Sequence, residues 1–73
     1  MEYKSYDRLA IGRRIRSGIV DMGLSMEEFA DKYDLKRDTV KSWCSGRSGI
    51  SLENAYKLCD IFGWPLDKLA VRD

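Results

Sequence analysis

The segment SMEEFADKYDLKRDTVKSW, residues 25–43, predicts two short helices joined by a tight turn. Ser25 and Glu28 have the spacing of a capping box, in which the side chain of each residue bonds the backbone N–H of the other. The apolar residues that follow have helical spacing, so each helix has one inward face. Those residues are Met26, Phe29, Ala30 and Tyr33 in the first helix, and Val40 and Trp43 in the second.

The turn between these helices contains Asp34, and Asp is one of the few residues that tolerate a positive φ. The small Ala30 lets the helices cross closely, as a helix-turn-helix arrangement requires. Because Val40 and Trp43 point inward, the opposite face of the second helix projects outward with Arg37, Asp38, Lys41 and Ser42. We expect Arg37 and Lys41 to extend into solvent, free of protein carboxylates. An exposed Trp43, or cations paired with carboxylates, would contradict the functional hypothesis below.

A further helix is predicted before this pair, over residues 8–22. Its apolar positions are spaced by four, four and three residues, as in an amphipathic helix, and are Ile11, Ile15, Ile19 and Met22. Ser5 or Asp7 can cap its start, and Gly23 stands where a helix commonly ends in a left-handed conformation.

Two more helices are predicted after the pair. Ser51 caps the fourth helix and Gly63 ends it, and its expected core face is Leu52, Ala55, Leu58, Cys59 and Phe62. The fifth lies in WPLDKLAV, with Pro65 in its first turn and Leu66 and Leu69 facing inward. The sequence therefore predicts an all-α, compact five-helix domain over residues 8–71, preceded by an N-terminal arm over residues 1–7.

Composition excludes several classes of function. A chain of 73 residues, 44% hydrophobic and 34% charged, is expected to form one globular domain. It has two cysteines and no histidine, which leaves too few ligands for a Cys/His zinc site and no histidine for general-base catalysis. No glycine-rich phosphate loop, signal peptide or apolar run of about 20 residues is present. We expect a cytoplasmic protein that is not an enzyme and has no cofactor, metal, membrane or small-molecule ligand.

The formal net charge of +1 hides an alternating distribution of charge. The first helix is basic, residues 26–34 carry four acids against one lysine, and residues 36–47 carry four cations against Asp38. The cations of that last segment are Lys36, Arg37, Lys41 and Arg47. This pattern favours a polar molecule with one basic face rather than a uniformly basic one.

The chain resembles the phage repressor and Cro-like helix-turn-helix regulators, the lambda-repressor-like or XRE-type family. The resemblance covers about residues 9–71 and lies in IGRRIR, MGLSMEEFA, DTVKSWCSG and SLENAYKLCDIFGWPLDKL, in that order and at the family's spacing. It implies a transcription regulator that binds double-stranded DNA sequence-specifically, commonly a repressor. It also implies a homodimer on a palindromic operator, with the third helix, about residues 36–44, in the major groove.

Residue roles follow from the resemblance by position. Arg37, Asp38 and Ser42 would read bases, with Lys36 and Lys41 beside them. Phosphates would be held by Arg47, Ser45, Ser48 and the backbone near Ser25 and Met26. The chemistry agrees for Arg37, which can pair with guanine O6 and N7, and for Asp38, which can accept from cytosine N4. Asp38 can instead make no base contact and simply stabilise the first turn of the third helix, where the helix dipole favours an acid.

The sequence departs from the family at three places. Met26 stands where members often have a Gln that braces a phosphate, and Asp34 stands where they often have Gly. Ile19 and Cys44 occupy positions that often form a buried Arg–Glu pair. Since both charges are replaced by apolar groups, no buried charge is left unpaired.

Several alternatives remain at the level of sequence. Trp43 could stack on a base, but its spacing from Val40 favours the core. Cys44 and Cys59 could sense redox state, but buried small hydrophobes are commoner. Arg13, Arg14 and Arg16 either solvate the first helix or approach flanking DNA.

The candidates for a dimer contact are Trp64, Leu69 and Val71, although the last helix could simply close the monomer. The main alternative function is a protein-interaction module of the same fold, antitoxin-like or dependent on a partner regulator.

Overall fold

Five helices form the part of the chain that the structure, a computed structural model, describes, residues 7–70. They are α1 (Arg8–Asp21), α2 (Met26–Lys32), α3 (Arg37–Ser45), α4 (Leu52–Phe62) and α5 (Leu66–Leu69). No strand occurs within these residues. The all-α, five-helix prediction is confirmed, with α2 and α3 as the helix-turn-helix.

Side-chain caps begin three of the helices. Asp7 Oδ1 accepts from the Ala10 N–H at 3.1 Å, so this last residue of the predicted arm belongs to the start of α1. At α2 the Glu28 N–H donates to Ser25 Oγ at 3.1 Å, and the Ser25 N–H donates to Glu28 Oε1 at 3.0 Å. The predicted capping box is therefore confirmed, as is the predicted cap of α4 by Ser51. Ser5, the other candidate for the cap of α1, lies outside the described residues.

A single left-handed residue turns the chain after each of the first four helices. These residues are Gly23, Asp34, Gly46 and Gly63, with φ between 56° and 76°. Asp34, with φ of 56°, is the one that is not glycine within residues 7–70, and a short polar side chain is among the few that accept this conformation. The turn between α2 and α3 therefore has the geometry that its sequence predicted.

The core receives side chains from all five helices. Phe29 of α2 is completely buried, and its ring stacks on Phe62 of α4 with centroids 5.6 Å apart. The other buried apolar residues are Ile11, Ile15 and Ile19 of α1, Ala30 of α2, Val40 and Trp43 of α3, Ala55, Leu58 and Cys59 of α4, and Leu69 of α5. A core of this kind is stabilised by about 1.5–3 kcal/mol for each large apolar side chain removed from water.

Two predictions about α4 and α5 are wrong. Leu52, expected on the core face of α4, is 65% exposed. It is the first residue of α4, and its side chain lies at the rim of an open apolar groove, which Ile11, Ile50 and Leu66 also line. Pro65 lies one residue before α5 rather than within its first turn.

Candidate nucleic-acid interface

The inner face of α3 anchors it to the domain. Val40 is 0% exposed and Trp43 is 4% exposed, which confirms their predicted inward orientation. The α1 backbone at Gly12 lies directly against the backbone of Trp43 and Cys44, so α3 is held from behind by both side chains and main chain. Because the indole of Trp43 is enclosed in the core, it is not available to stack on a base.

The outer side of α3 and the turn after it form a shallow polar groove. Its lining consists of Asp38, Lys41, Ser42, Ser45 and Arg47. The Arg47 N–H donates to the Ser42 carbonyl oxygen at 3.0 Å, and Ser45 Oγ donates to the same oxygen at 3.1 Å. These bonds fold the turn back onto α3. Five of the residues predicted to contact DNA are thus brought to one surface, and Ser48 lies exposed in the same turn.

Arg37 and Lys41 do not extend freely into solvent as expected. Arg37 makes two hydrogen bonds with Asp31 of α2, Nε to Oδ1 at 3.1 Å and Nη2 to Oδ2 at 2.6 Å. Glu27 of α2 accepts from Arg37 Nη1 at 3.4 Å and from Lys41 Nζ at 3.3 Å. The expectation is wrong because α2 presents two carboxylates, four residues apart, to two α3 cations that are also four residues apart.

These pairs lie at the surface. The side chains of Glu27, Asp31, Arg37 and Lys41 are between 47% and 58% exposed. Water and salt screen ion pairs at such positions, and a phosphate or a base can compete for the cations. The inner face of α3 is buried, as the sequence-based hypothesis required. Arg37 and Lys41 are paired with carboxylates, which is the outcome that was expected to contradict it. A DNA contact through these two cations therefore requires that DNA displace the surface pairs or share their cations.

The contact between Arg37 and Asp31 shifts the pKa of both groups. The hydrogen bonds from Arg37 hold the pKa of Asp31 below its ordinary value. The same bonds raise the pKa of Arg37. Each group therefore favours the charged form of the other.

The predicted phosphate contacts at the start of α2 are partly occupied. The Ser25 N–H and Ser25 Oγ are both engaged with Glu28 in the capping box. A phosphate at Ser25 would have to displace the Glu28 carboxylate. Met26 is half-buried and packs against the core, as its apolar side chain favours. Lys36 precedes α3 as an exposed residue without a side-chain cap bond.

The cysteines belong to the apolar interior rather than to a reactive site. Burial raises the pKa of both thiols, with Arg16 opposing the shift at Cys44 and Asp60 adding to it at Cys59. Both therefore remain protonated and poorly nucleophilic at neutral pH. Ile19 is 1% exposed and Cys44 packs against the core, so the absent Arg–Glu pair is replaced by apolar contact.

The expected dimer contacts are also revised. Leu69 is 0% exposed within the chain's own core, so its assignment to a partner interface is wrong. Trp64 is half-buried, with its ring centroid 4.6 Å from that of Phe62 and 4.6 Å from Lys68 Nζ. Val71 lies outside the described residues. Within residues 7–70, the large apolar residues that are exposed are ones that the pattern did not single out as dimer contacts: Leu9, Val20, Leu52 and Tyr56.

Five helices with α2 and α3 as a helix-turn-helix define the class of the fold, and the family match and the similar structures support a DNA-binding transcription regulator. A helix-turn-helix family model matches residues 15–69, and the chain belongs to this family. Within residues 7–70, none of the helices has the length and apolar character that crossing a bilayer requires.

Solved structures of similar fold include two with 28–30% identity to the chain. The restriction-modification controller protein C.AhdI from Aeromonas hydrophila is 30% identical, with a TM-score of 0.75 over 86% of this chain and 96% of that one. The hypothetical transcription factor NHTF from Neisseria is 28% identical, with a TM-score of 0.77 over 89% of this chain and 75% of that one. The BldD DNA-binding domain from S. venezulae, at 23% identity, has the same fold, with a TM-score of 0.77 over 86% of this chain and 94% of that one. No curated protein matches the chain.

Proposed function

We propose that the chain regulates transcription by binding a specific double-stranded DNA sequence, with α3 in the major groove. The observation that carries this proposal is the polar groove of α3 and the following turn, backed by the buried Val40 and Trp43. A rigid helix with one anchored face and one polar face fits the width of the major groove. The likeness to a restriction-modification controller and to a transcription factor supports the same function.

The roles of individual residues follow from their positions. Asp38 and Ser42 face the groove and can bond base edges, Asp38 as an acceptor for cytosine N4. Lys41 and Arg47 line the same groove, and with Lys36 they would neutralise phosphates. Arg37 would read a guanine through its guanidinium. No contact at Ser25 is needed for this arrangement, because its polar groups are already satisfied.

A DNA titration tests the proposal. Selection from a random duplex pool would first give the preferred sequence. Gel-shift titration of that duplex over a range of salt should then give a log–log slope of several units, since each neutralised phosphate contributes about −0.9. Arg37→Ala should weaken binding and relax preference at one base pair, by about tenfold or more. Binding without a salt dependence, or no binding to any duplex, would refute the proposal.

We further propose a homodimer on a two-fold symmetric operator. Leu52 and Tyr56, four residues apart on α4, are 65% and 53% exposed. Leu52 also lines the apolar groove of α1, α4 and α5. Burial of such surface against a second copy would be favourable. Selected sites would then contain inverted half-sites with centres about 34 Å apart. A cytoplasmic location stays a prediction. A role as repressor rather than activator is also a prediction, and it depends on where the operator lies.

The oligomeric state can be measured directly. Leu52→Lys should halve the molar mass seen by light scattering, while circular dichroism shows the same helix content. Val20→Lys is the matched control, because Val20 is similarly exposed, at 62%, on α1. A monomeric wild-type protein at concentrations that saturate the operator would contradict the dimer.

The second candidate function, a protein-interaction module, is favoured by one observation. The α2 carboxylates neutralise two of the cations that DNA binding would use. Failure to enrich any sequence from the random pool, together with salt-independent binding to a protein partner, would support this alternative over DNA binding.

A further inference from the structure

We propose that Asp31, assisted by Glu27, is a positioning residue for DNA specificity: it orients the Arg37 guanidinium towards one base and masks its charge from phosphates. This inference rests on the DNA-binding function proposed above and assigns a role to α2 in base selection. It is carried by the hydrogen bonds that join the two helices across the exposed surface.

The carboxylate of Asp31 occupies one edge of the guanidinium. It accepts from both Nε and Nη2 of Arg37, at 3.1 Å and 2.6 Å, which fixes the plane of the group as well as its position. A guanidinium has five N–H donors, and a two-point contact at one edge leaves donors on Nη1 and Nη2 at the other end. Nη1 makes a longer contact of 3.4 Å with Glu27, which a base can compete with because the pair is exposed. That outer end has the geometry that pairs with guanine O6 and N7.

Orientation matters because an unrestrained arginine has many rotamers. A free Arg37 would lose side-chain entropy on binding a base. It could equally donate its hydrogen bonds to a phosphate several ångströms away. With Asp31 holding it, less freedom is lost when the base contact forms. A guanine in the correct place therefore gains more from Arg37 than any other base or a phosphate does.

The same carboxylates act against non-specific binding. Affinity for DNA of any sequence comes chiefly from cations that displace counterions from phosphates. Arg37 and Lys41 are both paired within the protein, and Glu27 and Asp31 would repel a phosphate that approached them. The α2 acids therefore lower affinity for all duplexes, but they lower it less for a duplex that offers the correct guanine.

Asp31→Asn is the test, and Asp34→Asn is its matched control. Both changes remove one negative charge close to α3, but Asp34 makes none of the described contacts with Arg37. Asn also tolerates the left-handed conformation of Asp34, so the turn should persist. Thermal melts of the two variants check that the fold is retained before DNA binding is compared.

Two readouts are expected to separate the variants. Asp31→Asn should bind a scrambled duplex about tenfold more tightly at about 0.1 M salt, with a steeper salt slope by about one unit per protomer. Sequence selection with Asp31→Asn should lose the guanine preference at the one position that Arg37→Ala also affects. Asp34→Asn should keep that preference unchanged, whatever its effect on overall affinity.

Each outcome bears on one of the two proposals. If Asp31→Asn and Asp34→Asn strengthen non-specific binding equally and both keep the wild-type base preferences, Asp31 has no positioning role, and the DNA-binding function stands. If Asp31→Asn improves guanine selection, Asp31 only obstructs Arg37 and the inference is overturned. If the wild-type protein selects no sequence, the proposed function fails and this inference fails with it.

Discussion

Gly12 of α1 and Trp43 of α3 are in contact through their main chains. A Cβ atom at position 12 would lie 2.4 Å from the Trp43 carbonyl oxygen and 2.7 Å from that of Cys44. Both distances are far shorter than a carbon–oxygen contact allows. The absence of a side chain at position 12 therefore sets how closely α1 supports α3, and so how α3 stands out from the domain.

Gly12→Ala should destabilise the protein. Alanine would favour the helical conformation of α1 by about 1 kcal/mol. The atoms that it would meet belong to backbone and cannot rotate away, so overpacking of about 1–3 kcal/mol or more should outweigh that gain. Tm should fall by about 4–8 °C for each kcal/mol lost. Ser17→Ala, on the exposed side of the same helix, should leave Tm equal or slightly higher. A Gly12→Ala protein that melts at or above the wild-type temperature would contradict the close approach.

Substitutions of Trp43 distinguish a core residue from a base-stacking one. Trp43→Ala should lower the free energy of unfolding by about 3–5 kcal/mol, because the indole is almost fully enclosed. Trp43→Phe should cost less, since a ring still fills most of the space. Chemical denaturation measures both. Provided that Trp43→Phe remains folded, its affinity for the selected duplex should equal that of wild type, whereas a stacking role predicts a loss.

Arg14 has a structural role that the sequence left open. Its Nη1 donates to the Lys68 carbonyl oxygen at 2.6 Å and so joins α1 to α5. Arg14→Ala should reduce the free energy of unfolding by about 1 kcal/mol. Arg13→Ala, which changes the exposed neighbouring arginine, is the control and should have a smaller effect. Equal urea midpoints for the two variants would show that the bond to α5 contributes nothing.

The contact between Asp31 and Arg37 should make stability depend on pH. Because Arg37 lowers the pKa of Asp31 in the folded protein, ionised Asp31 contributes stability at and above about pH 4. That contribution is lost as the pH falls through the lowered pKa. Glu27 and Lys41 face the same cluster from α2 and α3.

The measurement compares thermal melts at several pH values. Asp31→Asn should have a slightly lower Tm than wild type at pH 7, and the difference should shrink as the pH falls below about 4. In an Arg37→Ala background, the Asp31→Asn substitution should no longer change Tm through this contact. A difference between wild type and Asp31→Asn that stays constant down to acid pH would show that the contact does not form in solution.

Local signals in the sequence predicted local structure well. The capping box of Ser25 and Glu28, the cap of Ser51 and the left-handed Asp34 each depend on a few neighbouring residues, and all three are confirmed. The inward face of α3 was equally clear, because Val40 and Trp43 have helical spacing. Such features need no knowledge of how the helices are arranged in space.

What the sequence did not reveal depends on the arrangement of the helices. Leu52 continues the apolar stripe of α4, but none of the five described helices covers the position where α4 begins, so the residue is 65% exposed. Leu69 was a candidate for a dimer contact but is buried in the chain's own core. The sequence alone does not show that this core has room for it. The pairing of Arg37 with Asp31 required the relative placement of α2 and α3. Its only signal was that acids and cations each recur at an interval of four residues.

The joined side chains of α2 and α3 also bear on how quickly such a protein would locate its target. Attraction over more than about 10 Å at 0.1 M salt depends on unbalanced charge, and this chain carries a formal net charge of +1 with two cations already matched by acids. We therefore expect brief collisions with DNA instead of long one-dimensional sliding. Occupancy of an operator would then follow the number of molecules in the cell more closely than their diffusion along the chromosome.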